Sequence, residues 1–518
     1  MILKTIEFCA KNRFITLLAV AVALVAGWFS MKKIPIDAIP DLSDTQVIVY
    51  STWNVSPDII EDQVTYPIVT SLLGVPKVKD IRGLSTFGAS YVYVIFEDGT
   101  DIYWARSRVL EYLSKIVPQL PEGSKTELGP DATGVGWVYQ YALKDTSGKH
   151  TLADLRSFQD WFLRYQIQAV PGVSEVASFG GFENQYQVQV NPESLRAYNI
   201  PLTKVSEAIR QGNSETGARV IEYSGTEYMV RLKGYAKNRQ DIENIVIGVS
   251  KSGVPIYVKN VARVTKGPEM RRGVADLNGM GDTVGGIVVM RFGENANRVI
   301  ERVEKKLEDL KASLPAGVEI VETYNRSDLI ERSIQTLTHE LTLEMIVVAL
   351  VIIIFLLHIP SALVPIITLP TAVVISFILM YLMDVSANIM SLGGIAIAIG
   401  AMVDAAIVVV ENCHKKMEEW KQSGGKASMD EVIISAIKEV GPASFYSLLV
   451  IAVSFLPIFA LEAQEGRLFK PLAYTKTLAM LVASLLSITL VPALLIIFTK
   501  KREFKRGPTW WTKFMNFV

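Results

Sequence analysis

Apolar residues fall into two patterns along this chain. The first is the long run: "FITLLAVAVALVAGWFS" at 14–30 and then, after about 300 residues of mixed composition, dense runs near 338–358, 361–383, 388–412, 440–461 and 471–498. A transmembrane helix needs about 20 mostly apolar residues, so six spans are predicted. The first reads as an uncleaved anchor, against the alternative of a signal peptide, because no small-residue cleavage site follows it and Trp28 and Phe29 suit an interfacial belt. "HIPSA" separates the second and third spans, and Pro360 there stops one helix before the next begins.

The second pattern fills the region between the first and second spans. "QVIVYSTW" alternates like a strand, "SPDIIEDQVTYPIVTSLLG" is a helix opened by Ser56 and Pro57, "VKDIRG" and "ASYVYVIFEDG" form a hairpin, and "DIYWARSRVLEYLSKIV" is a second helix. The order returns as "WVYQYAL", "TLADLRSFQDWFLRYQIQAV", "SEVASFGGFENQYQVQV" and "PLTKVSEAIRQG". Two ferredoxin-like β-α-β-β-α units are the simplest reading. Strand and turn patterns at 213–265 read as an insertion, after which "TVGGIVVMRFG" and "ENANRVIERVEKKLEDLKASL" complete the second unit. The predicted fold is therefore a membrane α-helical bundle of six transmembrane helices carrying an α+β region of such repeats.

Lysine and arginine bias sets orientation. Lys4, Lys11 and Arg13, "HKKMEEWKQSGGK" after the fourth span and "KKREFKR" after the sixth all fall on one side, which must be the cytoplasm. Residues 33 to about 335 are then exported. The 52 acidic and 52 basic side chains cancel, so no global basic surface points to nucleic acid. Two cysteines, Cys9 and Cys413, both cytoplasmic in this topology, exclude a disulfide framework. His150, His339, His358 and His414 lack the spacing of a zinc site, no GxxxxGK[ST] loop is present, and no Ser/His/Asp arrangement stands out. ATP is therefore not the expected energy source.

The chemistry concentrates in "AIAIGAMVDAAIVVVEN" at 396–412, where Asp404 interrupts an apolar run. A charge at the bilayer centre costs several kcal/mol, and ionisable groups there tend to line proton relays or watery cavities. Burial raises a carboxyl's affinity for protons, so Asp404 is the candidate proton carrier, against the alternative of an Asp hydrogen-bonded for packing alone. Glu411 lies seven residues on, about 10 Å down the same helix face, and is the second candidate, against simple hydration at the interface. Met402, two residues from Asp404, is expected on the opposite face.

Together these motifs resemble one known family. GxxVDxAIVxxEN in the fourth span, "IPIDAIPDLSD" after the first, "GPASFYSLLVIAVSFLPIF" in the fifth and "FKPLAYTKTLAM" opening the sixth resemble the resistance-nodulation-division (RND) efflux pumps over essentially the whole chain. The resemblance implies a proton antiporter of the bacterial inner (cytoplasmic) membrane with a large periplasmic domain, working as a homotrimer with a periplasmic adaptor (membrane fusion) protein and an outer-membrane channel. It assigns 1–32 to the first span, 33–130 to a first porter subdomain, 131–212 and 266–335 to a second, 213–265 to a docking-type insertion, 336–500 to spans two to six and 501–518 to an interfacial linker helix.

Drug pumps of this family typically carry a second aspartate where Ala405 stands, and zinc, cobalt and cadmium pumps an earlier one where Ala398 stands. What remains resembles the copper and silver branch. Thioethers suit Cu(I) and Ag(I), and the resemblance assigns metal contacts to Met270, Met390, Met402 and Met480, each of which could equally be apolar filler. Val409 stands where that branch would carry a further methionine. No resident cofactor is implied: Cu(I), Ag(I) and protons are cargo. Divalent metals or drugs are the alternative cargo, and an inactive or receptor-like subunit is the alternative of another class.

Pumps of this type have two homologous halves of six spans. "TWWTKFMNFV" at 509–518, with Trp510, Trp511, Phe514 and Phe517 against Lys513, resembles the start of the helix between halves. The expected partner is accordingly a second, C-terminal half, whether from a split gene, from the remainder of a longer product or, least expected, from a second copy of a self-sufficient half.

Overall fold

The computed structural model describes residues 1–250, 253–270, 273–356, 359–422 and 428–499. His358 and the 501–518 segment lie outside the described residues. Within them are six helices long and apolar enough to cross a membrane: Arg13–Lys33, Arg326–Ile354, Ser361–Leu382, Ile389–Gln422, Met429–Ala460 and Ala463–Phe498. Each matches a predicted span, and several run further. The second starts at Arg326 because the strand before it feeds straight into a polar helical stem, and the fifth starts at Met429, where the Ser428 side chain accepts from Glu431 N–H. Apolar runs mark the part of a helix that grease covers; the helix itself continues into water until a cap stops it.

The region between the first and second spans holds two four-stranded sheets. The first is built from β1 (Gln46–Thr52), β2 (Val78–Thr86), β3 (Ala89–Phe96) and β4 (Lys125–Leu128), in the order β2-β3-β1-β4, all antiparallel. Val47, Val49, Val92 and Val94 point to one face, and the helical residues Ile60, Ile68, Ala105 and Val109 cover it. Alternation along the strands and 3.6-residue spacing along the helices thus meet in one core.

The second unit repeats the scheme with a long interruption. It begins with β5 (Trp137–Asp145), a helix capped reciprocally by Thr151 and Asp154, and β6 (Val173–Gly180). Between β6 and β13 the chain then contributes β7 (Asn184–Val190), β8 (Thr216–Tyr223), β9 (Thr226–Leu232), β10 (Val246–Val249), β11 (Pro255–Tyr257) and β12 (Ala262–Pro268), so the interruption starts earlier than the 213–265 read from the sequence. β13 (Val284–Met290), the helix Ala296–Leu310 and β14 (Val318–Asn325) close the unit, and its sheet runs β14-β5-β13-β6, the same order as the first.

Two readings of local structure change here. "SEVASFGGFENQYQVQV" is not a hairpin: β6 pairs with β13, and β7 pairs with β12. The chain leaves the sheet at Gly180 and Gly181, both with positive φ, and a Cβ on Gly180 would strike the Thr283 carbonyl. The helix Leu202–Gly212 also changes allegiance, because Val205 packs with Ile242, Ile256 and Val258 in the insertion's own core, while Val299, Ile300 and Val303 of the later helix cover the second sheet. An amphipathic pattern shows that a helix buries one face, not which core receives it.

A short helix, Ile2–Lys11, precedes the first span. Its Ile6 is fully buried, Leu3 and Phe8 are exposed, and Glu7 bonds Lys11 at 2.7 Å and Lys438 of the fifth span at 2.6 Å. Those lysines, Lys11 foremost, hold the Glu7 carboxyl down to about 2. A carboxylate lowered by folding contributes fully above its unfolded value near 4.5 and loses that contribution as pH falls toward 2. Docking of this helix should therefore be unchanged between pH 8 and 6. Glu7→Gln should speed labelling of the buried Cys9 by a membrane-permeant maleimide severalfold in a Cys413→Ser background; equal rates would show that the ion pairs do not hold the helix.

Candidate functional site

The fourth span, Ile389–Gln422, presents two contrasting faces. Ser391, Gly394, Ile395, Ala398, Ile399, Met402, Ala405, Val409 and Cys413 are buried, whereas Ile397, Gly400, Asp404, Val408 and Glu411 are exposed. The exposed positions recur every three or four residues and form one stripe along the helix. Asp404 and Glu411 lie on that stripe. Met402 is on the other face, 3% exposed in the same apolar cluster as the fully buried Met480 of the sixth span, so the geometry separates carboxylate from thioether as the spacing predicts. Beside Met402, with Thr368 and Ser487 in its wall, is a cavity of about 10 Å³, room for no more than one water. Val409 is fully buried in this cluster and supplies only methyl groups.

The other two methionines stand apart. Met390 is half-buried at the second position of the fourth span, next to a reciprocal cap in which Asn388 Oδ1 accepts from Ser391 N–H and Ser391 Oγ accepts from Asn388 N–H. Met270 is far outside the bundle, exposed beside a cavity of about 390 Å³ that Arg156, Glu183 and Glu269 also line. The four thus form no single site. Among the described residues, no group of three or more His, Cys, Asp or Glu side chains is placed to hold a metal ion.

The start of the fourth span is tied to the sheets by residues absent from the sequence-based set. "IPIDAIP" runs beside the loop between the third and fourth spans: Asp37 N–H donates to the Ala387 carbonyl at 3.0 Å, Ala387 N–H to that of Pro35 at 2.9 Å and Ile389 N–H to that of Ala38 at 3.1 Å. Asp37 also receives a two-pronged bond from Arg326 at 2.8 and 2.9 Å, and Arg326 donates onward to the carbonyl of Val135, which leads into β5. One strap thereby joins the first, second and fourth spans to the second sheet. A similar tie holds the sixth span, where Arg467 donates to the Leu42 carbonyl, Asp44 and Asp98; its guanidinium keeps the Asp98 carboxyl below the usual range. The signal for both ties was the row of aspartates in "IPIDAIPDLSD", but nothing local names their partners.

A family model described as the AcrB/AcrD/AcrF family matches residues 5–518. The chain belongs to that family, the resistance-nodulation-division class its motifs resemble. It is 55% identical over 490 residues to the cation efflux system protein CusA of Escherichia coli (strain K12), an alignment covering 93% of this chain and 47% of CusA. It is 54% identical over 490 residues to the putative cation efflux system protein SilA of Salmonella typhimurium, again covering 93% and 47% of the two chains. With the cobalt-zinc-cadmium resistance protein CzcA of Cupriavidus metallidurans it shares 37% over 511 residues, 96% of this chain and 48% of CzcA. The crystal structure of a heavy metal efflux pump superposes with a TM-score of 0.84 at 30% identity, covering 95% of this chain and 48% of that one. The chain spans about half the length of the curated relatives it matches.

Proposed function

We propose that this chain forms the N-terminal half of a proton-driven efflux transporter for Cu(I) and Ag(I) in the bacterial inner membrane. The observation that carries the reading is the division of the fourth span: an ionisable stripe with Asp404 and Glu411 on one face, and on the other the soft ligand Met402, buried in the same apolar cluster as Met480. A carrier that exchanges protons for metal needs both chemistries on one moving element, kept apart so that neither ion occupies the other's place. The level of identity to CusA and SilA, above that to CzcA, favours univalent over divalent cargo.

On this reading the two like-ordered sheets are ferredoxin-like porter subdomains, the β7–β12 segment belongs to a docking region, and the assembly is a trimer that meets a periplasmic adaptor and an outer-membrane channel. Asp404 takes up and releases the proton, Glu411 passes it to the cytoplasmic side, and metal moves by way of Met402 and Met480 toward Met390 and Met270.

The test is silver and copper tolerance in a Gram-negative host lacking such a pump, supplied with adaptor, channel and the second half. Tolerance is expected, and Met402→Leu should lower it at least fourfold at equal membrane content. Tolerance to zinc but not silver, or none with every component inserted, would overturn the assignment.

A further inference from the structure

We propose that Lys476 is a charge filter on the metal's path, admitting univalent cations in preference to divalent ones; this rests on the transport reading above. Lys476 lies on the sixth span, five residues before its most apolar stretch, and is only 6% exposed. Its ammonium sits over the Phe455 ring, 3.1 Å from the centroid, and among the described residues no carboxylate forms an ion pair with it. The ring face stabilises a cation without neutralising it. The amine is therefore held against a ring face with no carboxylate ion pair among the described residues.

Its depth places it between the candidate metal contacts. A Cβ on Gly394 would strike Thr475 Oγ1 and the Leu472 carbonyl, so the fourth and sixth spans abut at the level of Thr475. At 1.5 Å per residue, Met390 lies about 6 Å from that level toward the start of the fourth span, and Met402 and Met480 lie about 12 and 8 Å the other way. Lys476, next to Thr475, occupies the level between. A cation moving from Met402 and Met480 to Met390 passes the depth of the ammonium.

The repulsion it meets scales with its own charge. With an effective dielectric of ~20 and a closest approach of ~8 Å, each unit of charge costs roughly thirtyfold in occupancy. Cu(I) and Ag(I) incur that factor once and Zn(II) or Co(II) twice. Thioethers select soft ions by bonding and the lysine selects by charge, and the two filters act in series.

The experiment compares wild-type pump, assembled with its second half, with Lys476→Gln, Lys476→Leu and Lys476→Arg in proteoliposomes, measuring Ag⁺ and Zn²⁺ flux under the same proton gradient. Gln and Leu are expected to raise the Zn²⁺:Ag⁺ ratio at least tenfold, and Arg to leave it near wild type. An unchanged ratio in inserted, silver-transporting Gln and Leu variants would overturn the filter while the transport reading stands. Loss of silver flux in both, with Arg active, would also overturn it, because the positive charge would then be required for transport itself. Absence of silver flux in the wild type would defeat the transport reading, and the filter with it.

Discussion

Replacing Asp404 by Asn is expected to abolish metal export while leaving the chain in the membrane. Asn has nearly the same shape and keeps hydrogen-bonding capacity, so the helix should pack as before, but it cannot bind and release a proton. Asp404 lies on the bare stripe of the fourth span and not in its apolar core, so little packing is disturbed. Proton-driven Ag⁺ flux in proteoliposomes should fall at least a hundredfold, with protein content and melting temperature unchanged. Glu411→Gln should reduce flux only severalfold, because Glu411 is seven residues nearer the C-terminal end of the span, where water can substitute for it. An Asn variant that still exports at more than a tenth of the wild-type rate would remove Asp404 from the coupling mechanism.

The second large effect concerns stability. Arg326 is 5% exposed and makes a bidentate bond to Asp37, whose side chain is 26% exposed. Breaking a buried pair by deleting one member leaves the other charge uncompensated, which costs about 3 kcal/mol or more. Arg326→Leu also orphans the Val135 carbonyl. That variant should lower the thermal midpoint in detergent by several degrees and collapse pump yield, Asp37→Asn should cost less, and the double variant should cost less than the sum. Additive losses would mean that the two side chains do not act as a pair. Because the strap holds the first turn of the fourth span, variants that survive should also transport less metal per proton taken up, a ratio that simple loss of folded protein would not change.

Much of this architecture was legible in advance, for physical reasons that also explain the gaps. Spans announce themselves because a bilayer demands a continuous apolar run, and Asp404 stands out because it breaks one. Strand alternation revealed both sheets, and the spacing of Met402 and Asp404 predicted their separation. The strap was invisible because Asp37 and Arg326 are 289 residues apart and each looks like an ordinary soluble charge. Lys476 stood in "FKPLAYTKTLAM", a motif quoted for its resemblance and its Met480, and nothing local marks that lysine as buried. The helix Leu202–Gly212 was misassigned because periodicity names a buried face but no partner.

The bare stripe of the fourth span also has a consequence for assembly. Ionisable groups facing hydrocarbon are costly, so the face of the fourth span that carries Asp404 and Glu411 calls for a polar, protein-lined surface against it rather than lipid.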